Sequence, residues 1–332
     1  MAGQTSGTSS WETLWQRVGL GRLIRGSDVL REYGVVVGFA VLFVALWIGS
    51  PAFVTKENWL NILDEQAPLG IMACAGTFVI IAGGFDLSVA GILAVSGIVA
   101  AKIAYAGHVE LGFVVGILAG VGFGTINGFI VSALRINAFI ATLATSIAYG
   151  GVALVLTGGI QVVVSNPTFT VLGQGRWFTI RITIFVLAGF AILLGFILAR
   201  SVYGRYVYAV GGNAEAARLS GVPVGLIKGS TFALSGLSAG IAGVLEASRL
   251  STGSAISLAG IELPVITAVV LGGTSILGGE GAVWRSILGV FLLAIITNGF
   301  NLLNINPTYQ QIAQGAIIVV AVGLDVWTRK RT

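Results

Sequence analysis

The sequence predicts an all-α protein, a polytopic transmembrane helical bundle of about ten spans. Of its 332 residues, 56% are hydrophobic and only 9% are charged, whereas a soluble domain has about 25% charged residues. The apolar runs lack the period-2 alternation of membrane-spanning strands, and lipid offers no partner to exposed backbone groups, so we expect helices. A soluble globular enzyme is excluded.

Ten apolar runs are long enough to cross a hydrocarbon core of about 30 Å. The links at 85–86 and 279–282 are so short that the runs beside them can instead form broken or re-entrant helices, which would leave eight full spans. The candidate spans cover approximately residues 33–50, 67–84, 87–106, 111–134, 137–157, 182–199, 229–247, 259–278, 283–303 and 309–327.

The chain divides into an N-terminal segment (1–32), a membrane domain (33–327) and a basic tail (328–332). Helical spacing of apolar residues and nearby arginines in the first segment predict a basic amphipathic helix on the cytoplasmic leaflet, with a disordered tail as the alternative. With a cytoplasmic N-terminus, thirteen of the 18 Lys and Arg residues fall on the inside and five on the outside. This bias places both termini in the cytoplasm.

Several kinds of chemistry are missing from the sequence. Gly is never followed by Lys, so no Walker A motif exists and the chain does not hydrolyse ATP alone. One cysteine (Cys74) and one histidine (His108) cannot form a thiolate cluster, a zinc site or a His-based triad. The net charge of +5 comes from basic residues that flank spans, so it does not indicate nucleic-acid binding. We expect neither an enzyme nor a bound cofactor.

Glycines recur every four residues along one predicted span, at 112, 116, 120, 124 and 128, and again at 236, 240 and 243. Such a stripe lets another backbone approach closely. Tight helix packing is the favoured interpretation, with a direct role in ligand contact as the alternative.

A polar break interrupts the apolar sequence where Gly83 and Gly84 precede Asp86 and Ser88. The glycines free the backbone, and the two polar residues are helix caps. One interpretation is a plain turn with Asp86 as the N-cap. The other is a broken helix beside a translocation path, since irregular backbone at membrane depth must be buried in protein or line a watery cavity.

A second break follows Gly272 and Gly273, and asparagines lie within two other spans. These positions repeat short sequence patterns, as expected of the internal duplication of many transporters. The candidate pathway residues are Gly83, Gly84, Phe85, Asp86, Ser88, Asn127, Thr274, Ser275 and Asn298.

The longest predicted cytoplasmic loop, 200–228, contains a short helix at 214–219, with Asn213 as its N-cap and Gly221 just past its end. A short helix is marginal in water unless something packs on it. A cytoplasmic partner therefore docks there, or else the helix packs only on its own membrane domain.

Three blocks carry a resemblance to a known family: residues 83–89, the loop 204–221, and residues 270–279 with Asn298, Gly299 and Asp325. From about residue 60 onward the chain resembles the permease subunits of bacterial ABC importers for ribose, xylose and related small sugars, a family that also takes up a furanosyl autoinducer. The sequence departs from the usual family pattern at Ala90, Glu280 and Trp284–Arg285.

The second block looks like the EAA loop of ABC permeases, whose helix docks the ATPase. The resemblance therefore implies a set of ATPase-coupling residues. They are Arg205, Asn213, Glu215, Ala216, Ala217, Arg218 and Gly221.

The resemblance implies an ABC importer permease fold in the bacterial inner membrane, which translocates a monosaccharide. It also implies partners: a second permease subunit, identical or different, a cytoplasmic ABC ATPase subunit that binds the ATP, and an extracytoplasmic sugar-binding protein, with membrane lipid around the spans. The alternative is an ATP-independent secondary transporter or channel for a small polar solute, with Asp86 as its ion-coupled carboxylate.

Overall fold

A computed structural model describes residues 38–306 except 258, together with 308–310, 312, 315, 316 and 319. Four sequence predictions fall outside the described residues in whole or in large part. They concern the segment 1–32, the span 309–327, the tail 328–332 and Asp325.

The described part of the chain is mainly helical. The helices are α1 (Gly38–Gly49), α2 (Lys56–Glu65), α3 (Ala67–Ile81), α4 (Val89–Tyr105), α5 (Val109–Ser132), α6 (Ala138–Thr157), α7 (Val171–Gln174), α8 (Ile182–Arg200), α9 (Val202–Gly212), α10 (Ala214–Leu219), α11 (Val224–Leu250), α12 (Glu262–Leu271) and α13 (Val283–Leu302). Short 3-10 turns cover Pro51–Val54 and Pro167–Thr170. Two antiparallel ladders pair strand β1 (Val162–Val163) with β4 (Thr252–Gly253), and β2 (Arg176–Trp177) with β3 (Ile180–Arg181).

The prediction of a polytopic helical bundle is confirmed. Among the described residues, five helices are long and apolar enough to cross a membrane: α5, α6, α8, α11 and α13. The predicted spans 67–84 and 87–106 appear as the shorter apolar helices α3 and α4, and the span 259–278 appears as α12, which ends at Leu271, directly before the predicted break at Gly272 and Gly273. The number of full spans stays a prediction.

Two expectations need correction. The predicted loop 200–228 is mostly helical, because α9 and α10 fill it and α11 already begins at Val224. Asp64, which falls between the predicted spans 33–50 and 67–84, lies not in a loop but in α2, where its buried carboxylate pairs with Arg181 at 3.2 Å.

Helix α3 forms the centre of the bundle. Fourteen of its fifteen residues are buried, as expected of a helix that is apolar on all sides. Its one internal hydroxyl, on Thr77, is fully buried and donates to Ser286 Oγ of α13 at 2.7 Å. A polar group that cannot reach water is thereby satisfied between two helices.

The outer faces of the bundle carry large apolar side chains. Ile147 of α6 is 73% exposed, Val155 of α6 is 84% exposed, and Ile192 of α8 is 73% exposed. Exposed apolar surface on this scale is unfavourable in water and is typical of a face covered by lipid or by another apolar surface.

The predicted glycine stripes pack against each other. A Cβ atom added to Gly120 of α5 would lie 2.5 Å from the carbonyl oxygen of Gly236 and 2.6 Å from Cα of Gly240, both in α11. Two backbones approach this closely only where side chains are missing. The structure thus supports helix packing as the role of this stripe.

The bundle has two distinct ends. Helices α8 and α11 run between them: α9 and α10 lie at one end, and the strands β1 to β4 lie at the other. We refer to these as the loop-helix end and the strand end.

The close packing of the two glycine stripes predicts different effects for two neighbouring substitutions in α5. Gly120→Ala places a methyl group against the α11 backbone, and overpacking of this kind costs about 1–3 kcal/mol. Gly122→Ala is the matched control, because a Cβ there meets nothing within 4 Å and alanine favours helix. Thermal unfolding in one detergent should show a lower midpoint for Gly120→Ala alone; equal midpoints would contradict the close packing.

Candidate functional site: two helix breaks and a loop helix

Two helices end in the same backbone motif. At the end of α3, the amide of Gly84 donates to the carbonyl of Val79 and that of Gly83 to the carbonyl of Ile80, both at 2.9 Å. This is a Schellman motif, and Gly83 has the left-handed φ of +79° that the motif requires. We call residues 82–88, between α3 and α4, the first helix break.

Helix α12 ends in the same way. The amide of Thr274 donates to the carbonyl of Val269 at 3.2 Å and that of Gly273 to the carbonyl of Val270 at 2.8 Å, with φ of +85° at Gly273. We call residues 272–282, between α12 and α13, the second helix break. The echoed glycine pairs in the sequence therefore mark the same local structure.

Polar side chains of the first break form a buried network. Asp86 Oδ1 accepts from the amide of Ser88 at 2.9 Å and from Ser88 Oγ at 2.5 Å. Ser88 Oγ accepts in turn from Asn127 Nδ2 of α5 at 2.6 Å. The three side chains are at most 5% exposed. Three predicted pathway residues thus lie together, and they hold the start of α4 against α5.

Tyr149 of α6 completes this network. Its hydroxyl donates to Asn127 Oδ1 at 2.9 Å, and Thr142, also in α6, bonds the carbonyl of Phe85 at 3.2 Å. Neither Tyr149 nor Thr142 is among the residues predicted from the sequence. The signal for Tyr149 is a tyrosine within an apolar span, because a buried tyrosine hydroxyl needs a partner.

Asp86 keeps one oxygen free of hydrogen bonds. Its Oδ2 atom and Ser235 Oγ of α11 line the same small cavity of about 10 Å³, and neither has a hydrogen-bond partner among the described residues. Such a cavity is about the size that holds one water molecule. Residues of α3, α4, α11 and α12 together enclose this cavity.

The second break contacts the first through the backbone. Thr274 and Ser275 are fully buried, and the amide of Ser275 donates to the carbonyl of Glu280 at 2.9 Å. The amide of Gly279 donates to the carbonyl of Ile81, at the end of α3, also at 2.9 Å. The predicted pathway residues 83–88 and 274–275 are therefore neighbours in space.

Asn298 lies apart from this group. It exchanges two hydrogen bonds with Asn58 of α2, at 2.8 and 3.0 Å, near the strand end. It is 15 residues beyond the start of α13, or about 23 Å along the helix at roughly 1.5 Å per residue. Asn298 can therefore take part only at the other end of a pathway.

The short loop helix is confirmed as α10, Ala214–Leu219. Asn213 Oδ1 accepts from the amide of Ala216 at 2.9 Å, as an N-cap does, and Gly221 has φ of +82° just past its end. The side chain of Ala217 is buried against the bundle, whereas Ala216 and Arg205 face outward.

Glu215 and Arg218 form an exposed ion pair on α10, with Nη2 to Oε1 at 2.5 Å and Nε to Oε2 at 3.0 Å. Arg218 holds the pKa of the Glu215 carboxyl below its usual value. The carboxylate therefore stays charged to lower pH than an isolated glutamate. The pair gives α10 an ordered polar face that is free for a partner.

A cavity of about 680 Å³ connects α10 with the first break. Its volume lies within the usual range for small-molecule sites. Its wall combines the break, the α5–α6 link, the loop helix and the start of α11. The polar and glycine residues in this wall are Gly83, Gly84, Ser132, Arg135, Asn137, Glu215, Arg218, Gly225, Lys228 and Thr231.

These features define a class of protein. Apolar spans, two polar breaks between successive apolar helices and a cavity that reaches from one break to an exposed loop helix are compatible with the membrane component of a transport system. The chain belongs to the family described as the permease component of branched-chain amino acid transport systems, whose model matches residues 58–322. It is therefore a transport component and not an enzyme, and a multi-pass protein of the inner membrane.

Similar proteins align over almost the whole chain. The L-arabinose transport system permease protein AraH of Escherichia coli K12 is 39% identical over 300 residues, which cover 90% of this chain and 92% of AraH. The L-arabinose ABC transporter permease protein AraH of Azospirillum brasilense is 39% identical over 306 residues, covering 92% and 90%. The ribose import permease protein RbsC of E. coli K12 is 37% identical over 307 residues, covering 89% and 94%. No solved structure matches the chain.

The buried network predicts different effects for two serine substitutions. Ser88→Ala leaves Asn127 Nδ2 without its acceptor and removes a donor from Asp86, which costs about 1–3 kcal/mol. Ser96→Ala is the matched control, because Ser96 is equally buried in α4 but has no side-chain partner among the described residues.

Thermal unfolding and amide hydrogen exchange of residues 82–88 measure this difference. We expect a lower unfolding midpoint and faster exchange for Ser88→Ala only. If both variants match the wild type, the network does not hold the first break.

Proposed function

We propose that this chain is the transmembrane permease subunit of an ATP-binding cassette importer that translocates a monosaccharide, energised by a separate ATPase subunit. The cavity between α10 and the first break is the observation that carries this proposal. It gives the exposed loop helix, on which a cytoplasmic partner can act, a common wall with the predicted pathway residues Gly83 and Gly84. Movement of α10 must change the shape of this cavity.

The ATPase subunit docks on α10 in this proposal. The exposed Glu215–Arg218 pair and the outward-facing Ala216 supply its contact surface, while the buried Ala217 anchors the helix to the bundle. Arg205 extends this surface from α9. ATP binds to the partner, and this chain holds no cofactor.

The substrate class follows from the relatives and from the candidate residues. AraH and RbsC are named for L-arabinose and ribose. The nine pathway candidates offer amide, hydroxyl and carboxyl groups and include no cation. Such groups suit the hydroxyls of a neutral sugar. Selectivity among sugars lies mostly with an extracytoplasmic binding protein.

The assembly contains two permeases side by side, with both termini and the loop-helix end in the cytoplasm. The exposed apolar faces of α5, α6 and α8 supply the surface that the second permease and the lipid cover. A homodimer and a heterodimer are both compatible with these faces.

Charge reversal on α10 tests the docking surface. Glu215→Lys breaks the ion pair and places like charges together, so we expect uptake of radiolabelled L-arabinose and ribose to fall roughly tenfold or more. Deletion of 213–221 should abolish uptake. Both variants should still reach the membrane.

Glu110→Lys is the matched control, since Glu110 is exposed in the first turn of α5, far from α10. Membrane content is measured by immunoblot, and bound partners by pull-down and mass spectrometry in mild detergent. Normal uptake by Glu215→Lys would remove the coupling role from α10.

The source of energy separates this proposal from an ATP-independent carrier. The purified chain in proteoliposomes should transport only when an ATPase subunit and ATP are present, and a protonophore should have no effect while ATP remains. Transport without ATP that stops with the protonophore would favour the carrier, with Asp86 as its coupled carboxylate.

A further inference from the structure

The end of α9 fits against both helix breaks at once. A Cβ added to Gly211 would lie 1.6 Å from the carbonyl oxygen of Ile81 and 2.6 Å from the amide nitrogen of Gly279. These are the two atoms that join the first break to the second. Gly211 therefore touches the hydrogen bond between the breaks, and no other amino acid leaves room for that bond.

The second break is shaped to the same contact. Gly278 has φ of +88°, and a Cβ there would lie 3.0 Å from the carbonyl oxygen of Gly211 and 3.3 Å from Cα of Gly83. Gly279 has φ of +77° and approaches the backbone of Gly212. Three chain segments thus meet backbone to backbone at one place, which we call the glycine junction: Ile81–Gly83, Gly211–Gly212 and Gly278–Gly279.

A tyrosine adds a second connection beside the glycine junction. Tyr208 of α9 is half-buried, and its hydroxyl donates to the carbonyl of Gly281 at 2.8 Å. On the same helix, Val207 and Val210 are buried in the bundle core. Helix α9 is therefore held to the second break by a side chain as well as by its backbone.

Helix α9 is also joined tightly to α10. Only Asn213 separates them, and it is at once the C-cap of α9 and the N-cap of α10. Only this one residue lies between a displacement of α10 and helix α9. Such a displacement must reach Gly211 and Gly212 within one residue.

We propose that Gly211 and Tyr208 are positioning residues through which displacement of α10 moves both helix breaks together. This inference rests on the proposed function, since it assumes that a partner moves α10. The contact with Ile81 and Gly279 drives the end of α3 and the second break as one unit, and Tyr208 pulls Gly281 with it. The two walls that carry the pathway candidates 83–88 and 274–275 then change position in the same step.

Gly211→Ala tests the junction, with Gly212→Ala as its matched control. The added methyl group displaces the Ile81–Gly279 bond in the first variant, whereas a Cβ on Gly212 meets nothing within 4 Å. We measure three quantities in proteoliposomes that contain the full complex: co-purification of the ATPase subunit, ATP hydrolysis, and uptake of labelled L-arabinose and ribose. The ratio of ATP hydrolysed to sugar transported reports coupling, which a purely structural contact would not change.

We expect Gly211→Ala to keep the ATPase subunit while sugar transported per ATP falls roughly tenfold or more, the effect of a loss of at least about 1.4 kcal/mol of coupling. Gly212→Ala should match the wild type. If the two variants have the same ratio, the inference is wrong. If the wild type neither binds an ATPase subunit nor requires ATP, the proposed function fails and this inference fails with it.

If Gly211→Ala fails to fold, Tyr208→Phe provides a second test of the inference. It removes only the hydroxyl that bonds Gly281, and we expect a several-fold lower ratio of sugar to ATP with the ATPase subunit still bound. An unchanged ratio in Tyr208→Phe would then overturn the inference.

Discussion

The hydrogen bond from the Gly279 amide to the Ile81 carbonyl is the contact on which the arrangement of the site depends. A carbonyl at the end of a helix inside a membrane bundle has no water to accept from, so it needs a partner from the chain. Here the partner comes from the second helix break. The same bond therefore satisfies the last turn of α3 and joins it to the second break.

Glycine serves two different purposes in this protein. Between α5 and α11, glycine leaves out side chains so that two long helices touch along their length. Dispersion contacts then hold the helices together, because lipid provides no hydrophobic driving force for their association. In the helix breaks it supplies left-handed backbone at Gly83 and Gly273. The first use gives a rigid frame, and the second gives defined points where helices stop within that frame.

Much of this organisation is predictable from the sequence. The length of the apolar runs predicts the helices. The capping residues Asn213 and Gly221 predict both ends of α10, because each acts within one turn of the helix. The partners of Asn127 and Asp64 are not predictable, because Tyr149 and Arg181 come from distant segments. Asn298 was grouped with Asn127 by a shared sequence pattern, yet it lies at the strand end with Asn58. Similar sequence does not fix position when the two copies occupy different helices of an asymmetric bundle.

The single residue between α9 and α10 has a geometric consequence. Asn213 is extended, with φ of −157° and ψ of 100°, and these two angles help to set the direction in which α10 leaves the bundle. A residue added or removed there would change both the position and the orientation of α10 relative to α9. The side of the protein to which α10 presents its outward face therefore depends on the conformation of this one-residue link as well as on the packing of Ala217.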